Sequence, residues 1–168
     1  ADGWTGLGIV IQAYQKRAPE AIHWVAARAR ARGVKLSMRL VKGAYWDTEI
    51  KRAQTMGLGD FPVFTAKNHT DLNYMHCAQI LRDAQDCIFP AFASHNAMTL
   101  AFVTELFAGA DYELQRLHGM GEGAHDAILA LYPPPRPVRV YAPVGTHRDL
   151  LAYLVRRLLE NGANSSFV

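Results

Sequence analysis

Leu36-Ser-Met-Arg-Leu-Val-Lys-Gly-Ala-Tyr-Trp-Asp47 is the stretch on which the fold turns. Its first seven residues form a short, largely apolar run of strand length. The run then breaks at Lys42-Gly43-Ala44-Tyr45-Trp46, a cation, a tight turn and two aromatics, and a helical pattern from Asp47 to Met56 follows. A strand that passes through a polar, glycine-bearing loop into a helix is one βα unit.

The same sequence of events recurs on both sides. Apolar runs read as strands at Gly8 to Tyr14, Leu36 to Lys42, Ile88 to Ser94, Tyr112 to Leu117 and Val138 to Ala142. Helical stretches lie between them: Pro19 to Arg32 stopped by Gly33, Asp47 to Met56, Thr70 to Ala84, Ala97 to Phe107 started by Asn96, and Gly123 to Leu131. A last helix is predicted from His147 to Asn161, opened by Thr146 with Asp149 three residues on and closed by Gly162. Strand and helix alternating in this way imply parallel strands joined by right-handed crossovers, hence a doubly wound sheet or a barrel. Five βα units are legible. A complete eight-unit barrel takes roughly 250 residues, so on the barrel reading about three units precede this chain.

Composition narrows the function classes. The chain has 168 residues, half of them apolar, and a formal charge of +3 from eighteen Lys plus Arg and fifteen Asp plus Glu. That excess is too small to argue for nucleic acid. The arginines of Arg28-Ala-Arg-Ala-Arg32 point around a helix instead of forming one stripe. Cys77 and Cys87 have no partner at zinc-ligand spacing, and the seven histidines form no H-E-x-x-H motif, so no metal site is expected. No apolar run reaches the roughly 20 residues of a membrane span, which makes a cytoplasmic location the default expectation.

Polar residues collect where the strands end, the position at which a parallel barrel keeps its chemistry. Gln12, Arg39, Lys42, His95, Gln115, His118 and Tyr141 all fall there. Each alone has an ordinary explanation in the satisfaction of loop backbone. Arg39 stands out because it interrupts an apolar strand, and a buried guanidinium requires an anionic partner. Lys42 admits a different chemistry, since a strand-end lysine is where Schiff-base aldolases hold theirs. Gly119-Met-Gly121-Glu-Gly123 opens a helix and offers backbone N–H groups to a phosphate, though its spacing is not that of a dinucleotide fingerprint. In the last helix Leu150, Leu151, Leu154, Val155, Leu158 and Leu159 share one half of the wheel, with Tyr153, Arg156, Arg157 and Glu160 on the other. Periodicity alone makes that polar half a solvated surface.

Several longer blocks change the reading. Tyr14-Gln-Lys-Arg17, Arg39 to Asp47, Phe92-Ala-Ser-His-Asn96, Leu117 to Glu122, Val140 to Gly145 and Tyr153 to Asn164 resemble, in that order, the proline dehydrogenase domain of bacterial proline utilization A. The resemblance covers essentially the whole chain. It implies an FAD-dependent (β/α)8 barrel of TIM type that oxidises L-proline to Δ1-pyrroline-5-carboxylate, with residues 1–168 as its C-terminal part. By the same resemblance, Arg156 and Arg157 hold the substrate carboxylate beside Tyr141 and Leu117, and Arg39 and Tyr141 stand nearest the chemistry. Gln12, Arg39, Val41, Gly43, Ala44, Trp46, Thr65, Lys67, His95, Asn96, Gln115, Glu160 and Phe167 form the cofactor's bed. The family further implies a quinone acceptor, peripheral membrane association, upstream strands bearing a lysine and an aspartate, and a downstream aldehyde dehydrogenase module. On this expectation the segment by itself is a catalytically incomplete fragment.

Overall fold

In the computed structural model the described residues are 6–133 and 136–165, with side chains described through Arg157. Five strands alternate with helices: β1 (Gly8–Gln12), α1 (Ala18–Arg32), β2 (Leu36–Val41), α2 (Trp46–Thr55), α3 (Lys67–Asp83), β3 (Ile88–Ala93), α4 (Ala97–Leu106), β4 (Glu113–Leu117), α5 (Glu122–Leu131), β5 (Val138–Tyr141) and α6 (His147–Ser165). Every strand pair is parallel, and the sheet order is the chain order, β1-β2-β3-β4-β5. That order decides between the two folds left open by the alternation. A doubly wound sheet reverses direction at a switch point. Here each right-handed crossover steps the same way, so the helices fall on one side and the sheet forms five consecutive βα units of a TIM-type barrel.

Strand period sorts the side chains between the two faces. Met38, Leu40, Ile88, Phe92 and Leu114 are buried under α1, α3 and α4, together with Ile22, Ala26, Cys77, Leu81, Leu100 and Val103 from those helices. Phe92 centres an aromatic cluster, with its ring centroid 4.9 Å from Phe107 and 6.1 Å from Tyr112. The opposite, concave face carries Val10 and Gln12, Ser37, Arg39 and Val41, Ala91 and Ala93, Glu113, Gln115 and Leu117, then Arg139 and Tyr141, as the register pairs them. Polar residues thus line the inside of the arc.

The element predictions hold to within a few residues at most ends, with two differences. The helix predicted to start at Thr70 begins at Lys67. The last helix does not close at Gly162 but runs to Ser165. Glycine inside a helix costs only about 1 kcal/mol relative to alanine, which weakens a helix without ending it. Among the described residues no helix is long and apolar enough to cross a membrane.

Candidate active site at the strand ends

The loop after β2 sets the geometry of the rim. Gly43 has φ +148 and lies against the ring of Tyr14, so closely that a Cβ there would occupy the ring's own space. Only glycine permits that approach. The turn is further held by Gln12, whose Oε1 accepts from Ala44 N at 3.3 Å. Trp46 opens α2 and donates its indole N–H to Phe64 O at 2.8 Å, which ties the loop to the Phe61–Thr65 segment. That segment in turn pairs with the chain after β1, where Phe64 N donates to Tyr14 O at 2.8 Å and Lys16 N to Pro62 O at 3.0 Å. Val41, Gly43, Ala44 and Trp46 therefore sit on one braced loop beside Gln12. Thr65 lies exposed at its edge.

Arg39 points into the concave face, since its chain neighbours Met38 and Leu40 are buried under the helices. Its guanidinium carbon lies 4.4 Å from the Tyr141 ring centroid. The stack joins β2 to β5 across the arc, and Arg39 Nε is buried with no hydrogen-bond partner among the described residues. Gln115 is 4 % exposed and its Oε1 is likewise buried without a partner. A donor and an acceptor thus stand unsatisfied on the same face. Such groups are costly to bury unless something completes them.

At the end of β3, His95 accepts from Leu117 N through Nε2 at 3.0 Å. Accepting there leaves the imidazole proton on Nδ1. Gly121 caps α5 at φ +68, and a Cβ on it would lie 2.7 Å from the His95 ring. Within the glycine run after β4, Gly121 therefore serves close packing on His95, while Gly119 and Gly123 have open space around them. Asn96 caps α4, its Oδ1 accepting from Thr99 N at 2.9 Å. Below them, His125 is buried in α5, and its Nε2 lies 3.0 Å from the Ser94 carbonyl.

α6 returns to the rim. Arg156 and Arg157 stack on the Tyr45 ring, with guanidinium carbons 4.8 and 5.8 Å from its centroid, and Arg157 also lies 4.8 Å from Tyr153. The polar half of the helix wheel thus faces the β2–α2 loop, while Leu151, Leu154 and Val155 are exposed. Tyr153 and Arg156 are exposed as well, with Leu150 and Arg157 half-buried, so both halves of the helix meet solvent. Glu160's side chain and Phe167 lie outside the described residues.

Lys42 Nζ forms an ion pair with Asp71 at 2.5 Å, and Lys67 Nζ lies 4.0 Å from the same carboxylate. Asp71 escaped the sequence reading, although its i,i+4 spacing from Lys67 was visible. Tyr45 was noted for its aromaticity and given no role. The Glu113–Arg139 pair, with Arg139 Nε and Nη2 donating to the two carboxylate oxygens at 2.8 and 2.7 Å, was also missed. It holds the Glu113 carboxyl below its ordinary range. An acid two residues before Gln115 in a strand was the available signal for Glu113, and none pointed to Arg139. Among the described residues no group of three His, Cys, Asp or Glu could hold a metal.

The chain matches a family model described as proline dehydrogenase over residues 1–168. It is 56% identical over 172 residues to the bifunctional protein PutA of Rhizobium meliloti, covering 99% of this chain and 14% of that protein. It is 32% identical over 168 residues to proline dehydrogenase 1 of Bacillus subtilis (strain 168), covering 96% of this chain and 47% of that protein. Among solved structures, a Bradyrhizobium japonicum proline utilization A variant superposes with a TM-score of 0.90 at 61% identity, over 99% of this chain and 17% of that one. Proline utilization A from Bdellovibrio bacteriovorus, inactivated by N-propargylglycine, gives 0.88 at 41%, over 97% and 17%. The chain spans about 14% of the length of the first curated relative it matches.

Proposed function

The chain belongs to the proline dehydrogenase family, and from that premise we propose that residues 1–168 supply the C-terminal arc of a barrel that oxidises L-proline to Δ1-pyrroline-5-carboxylate with FAD. The observation that carries the reading is the concave face itself. A buried donor, Arg39 Nε, and a buried acceptor, Gln115 Oε1, lack partners among the described residues, on an arc whose rim holds Arg156 and Arg157. An isoalloxazine has both carbonyl acceptors and a ring N–H, so the donor set fits it.

Arg39, Val41, Gly43, Ala44, Trp46, His95, Asn96 and Gln115, with Gln12 bracing the loop, would hold the cofactor's ring side. Lys67, the first residue of α3, and Thr65 just before it would meet the cofactor's phosphates. Bound FAD supplies the two-electron acceptor. The chain's own part is orientation and charge. Arg156 and Arg157 present guanidinium forks whose donors match the two oxygens of a carboxylate. Tyr45 stacks on both guanidiniums, a contact that would favour one direction of the pair. Tyr141 stacks on the Arg39 guanidinium, and that cation would favour the negative charge that reduction adds to a bound flavin. Leu117, hydrogen-bonded through its N–H to His95, offers an apolar wall at the same rim. Glu160 and Phe167 belong to the same proposed assignment by resemblance to the family alone.

The aldolase reading of Lys42 lacks a free amine, because its ammonium is bound in the Asp71 ion pair. A quinone acceptor, a cytoplasmic enzyme meeting the membrane peripherally, upstream strands that complete the barrel and a downstream aldehyde dehydrogenase module extend the same proposal. The small share of each PutA relative that the chain covers supports a longer polypeptide.

The test is spectroscopic. The full polypeptide carrying this chain is expected to purify yellow and to bleach on anaerobic addition of L-proline; a colourless protein indifferent to added FAD would refute the proposal. Arg156→Met and Arg157→Met are each expected to raise KM for proline at least about tenfold, or about 1.4 kcal/mol, while FAD stays bound. Unchanged KM in both would return α6 to a merely structural role.

A further inference from the structure

Gln115 Nε2 donates to Glu113 Oε1 at 2.5 Å, and both Glu113 oxygens are taken by Arg139. A carboxylate only accepts hydrogen bonds, so the amide beside it must turn its NH2 toward it. The Gln115 carbonyl oxygen is then forced the other way, and it is this atom that stands buried without a partner among the described residues. Glutamine can ordinarily offer either end of its amide. Here a neighbouring charge removes the choice.

We propose that Glu113 is a positioning residue that fixes Gln115 as a hydrogen-bond acceptor for the cofactor, selecting a ligand that presents an N–H or O–H at that point. Arg139 is the guarantor of the arrangement: a protonated Glu113 could itself donate, and the guanidinium keeps the proton off. The three residues run from β5 through β4 as one chain, Arg139 to Glu113 to Gln115. Glu113 touches no ligand in this scheme. It acts through the orientation of its neighbour.

The inference rests on the flavin reading above, and a double-mutant cycle separates the two. In the full-length protein, Gln115→Met removes the acceptor and Glu113→Gln removes the constraint, and each is expected to raise the FAD dissociation constant about tenfold, the size of one net hydrogen bond. Because both act on the same contact, the double variant should be no weaker than either single one. Multiplying effects, or a Glu113→Gln protein that binds FAD as the parent does, overturns the proposal and leaves the flavin reading intact. A parent protein with no affinity for FAD overturns both. Arg139 is largely solvent-exposed, so Glu113→Gln leaves it hydrated, and melting of the apoprotein checks that the variant folds. Should it not fold, Glu113→Asp, still an acceptor, is expected to hold FAD more tightly than Gln115→Met. Equal or weaker binding there would also overturn the proposal.

Discussion

His125 sits 1 % exposed in α5 with Nε2 on the Ser94 carbonyl and Nδ1 without a partner among the described residues. Burial lowers its pKa from 6.5, partly opposed by the hydrogen bond to Ser94. The folded chain therefore refuses a proton that the unfolded chain accepts. Stability from the neutral imidazole is complete above the unfolded value and is lost as pH falls through the lower folded one. Thermal melts of the full-length protein should accordingly drop as the pH is taken from 7 to 5. His125→Phe should flatten that slope while starting from a lower melting temperature at pH 7, because Ser94's carbonyl loses its donor. A slope unchanged by the substitution would place the acid sensitivity elsewhere. None of this is legible in the sequence, where His125 is one of seven histidines and no pattern marks it.

At the level of elements, the sequence signals were strongest where one residue acts locally. Asn96 was read as the start of α4, and its Oδ1 accepts from both Thr99 N and Thr99 Oγ1. Asn96→Ala should cost about 1 kcal/mol in stability and Asn96→Asp much less, as measured by denaturant midpoints. The β2–α2 loop is stricter. Gly43→Ala meets the Tyr14 ring at a φ that side chains rarely adopt, so it should lose more than the cap variant and weaken FAD retention as well, read from flavin released on dialysis. The α6 wheel shows the limit of such reading. Its arginines meet Tyr45, more than a hundred residues away in the chain, while residues of both halves are exposed. Amphipathicity separates faces without saying what covers each.

For the whole molecule, β1 and β5 each have a single strand neighbour among the described residues. Val10 in β1 and Val140 in β5 are exposed there. Open edges of parallel strands are templates for pairing with another chain. The isolated 168-residue polypeptide is therefore expected to associate through these edges and to bind FAD poorly, as light scattering and flavin titration would show. A monomer with full FAD affinity would argue that five units suffice. The chain's alternation of strands and helices determined the parallel α/β class, the positions of the elements and the clustering of polar residues at strand ends, because hydrophobic period and turn chemistry are local properties. The sheet order that makes the arc a barrel, the stacking of Arg39 on Tyr141 and of Arg156 and Arg157 on Tyr45, and the pairing of Glu113 with Arg139 came only with the tertiary structure. Each joins residues remote in sequence, and the physics that pairs them, burial of charge and contact between π faces and cations, acts through space and leaves no spacing along the chain to read.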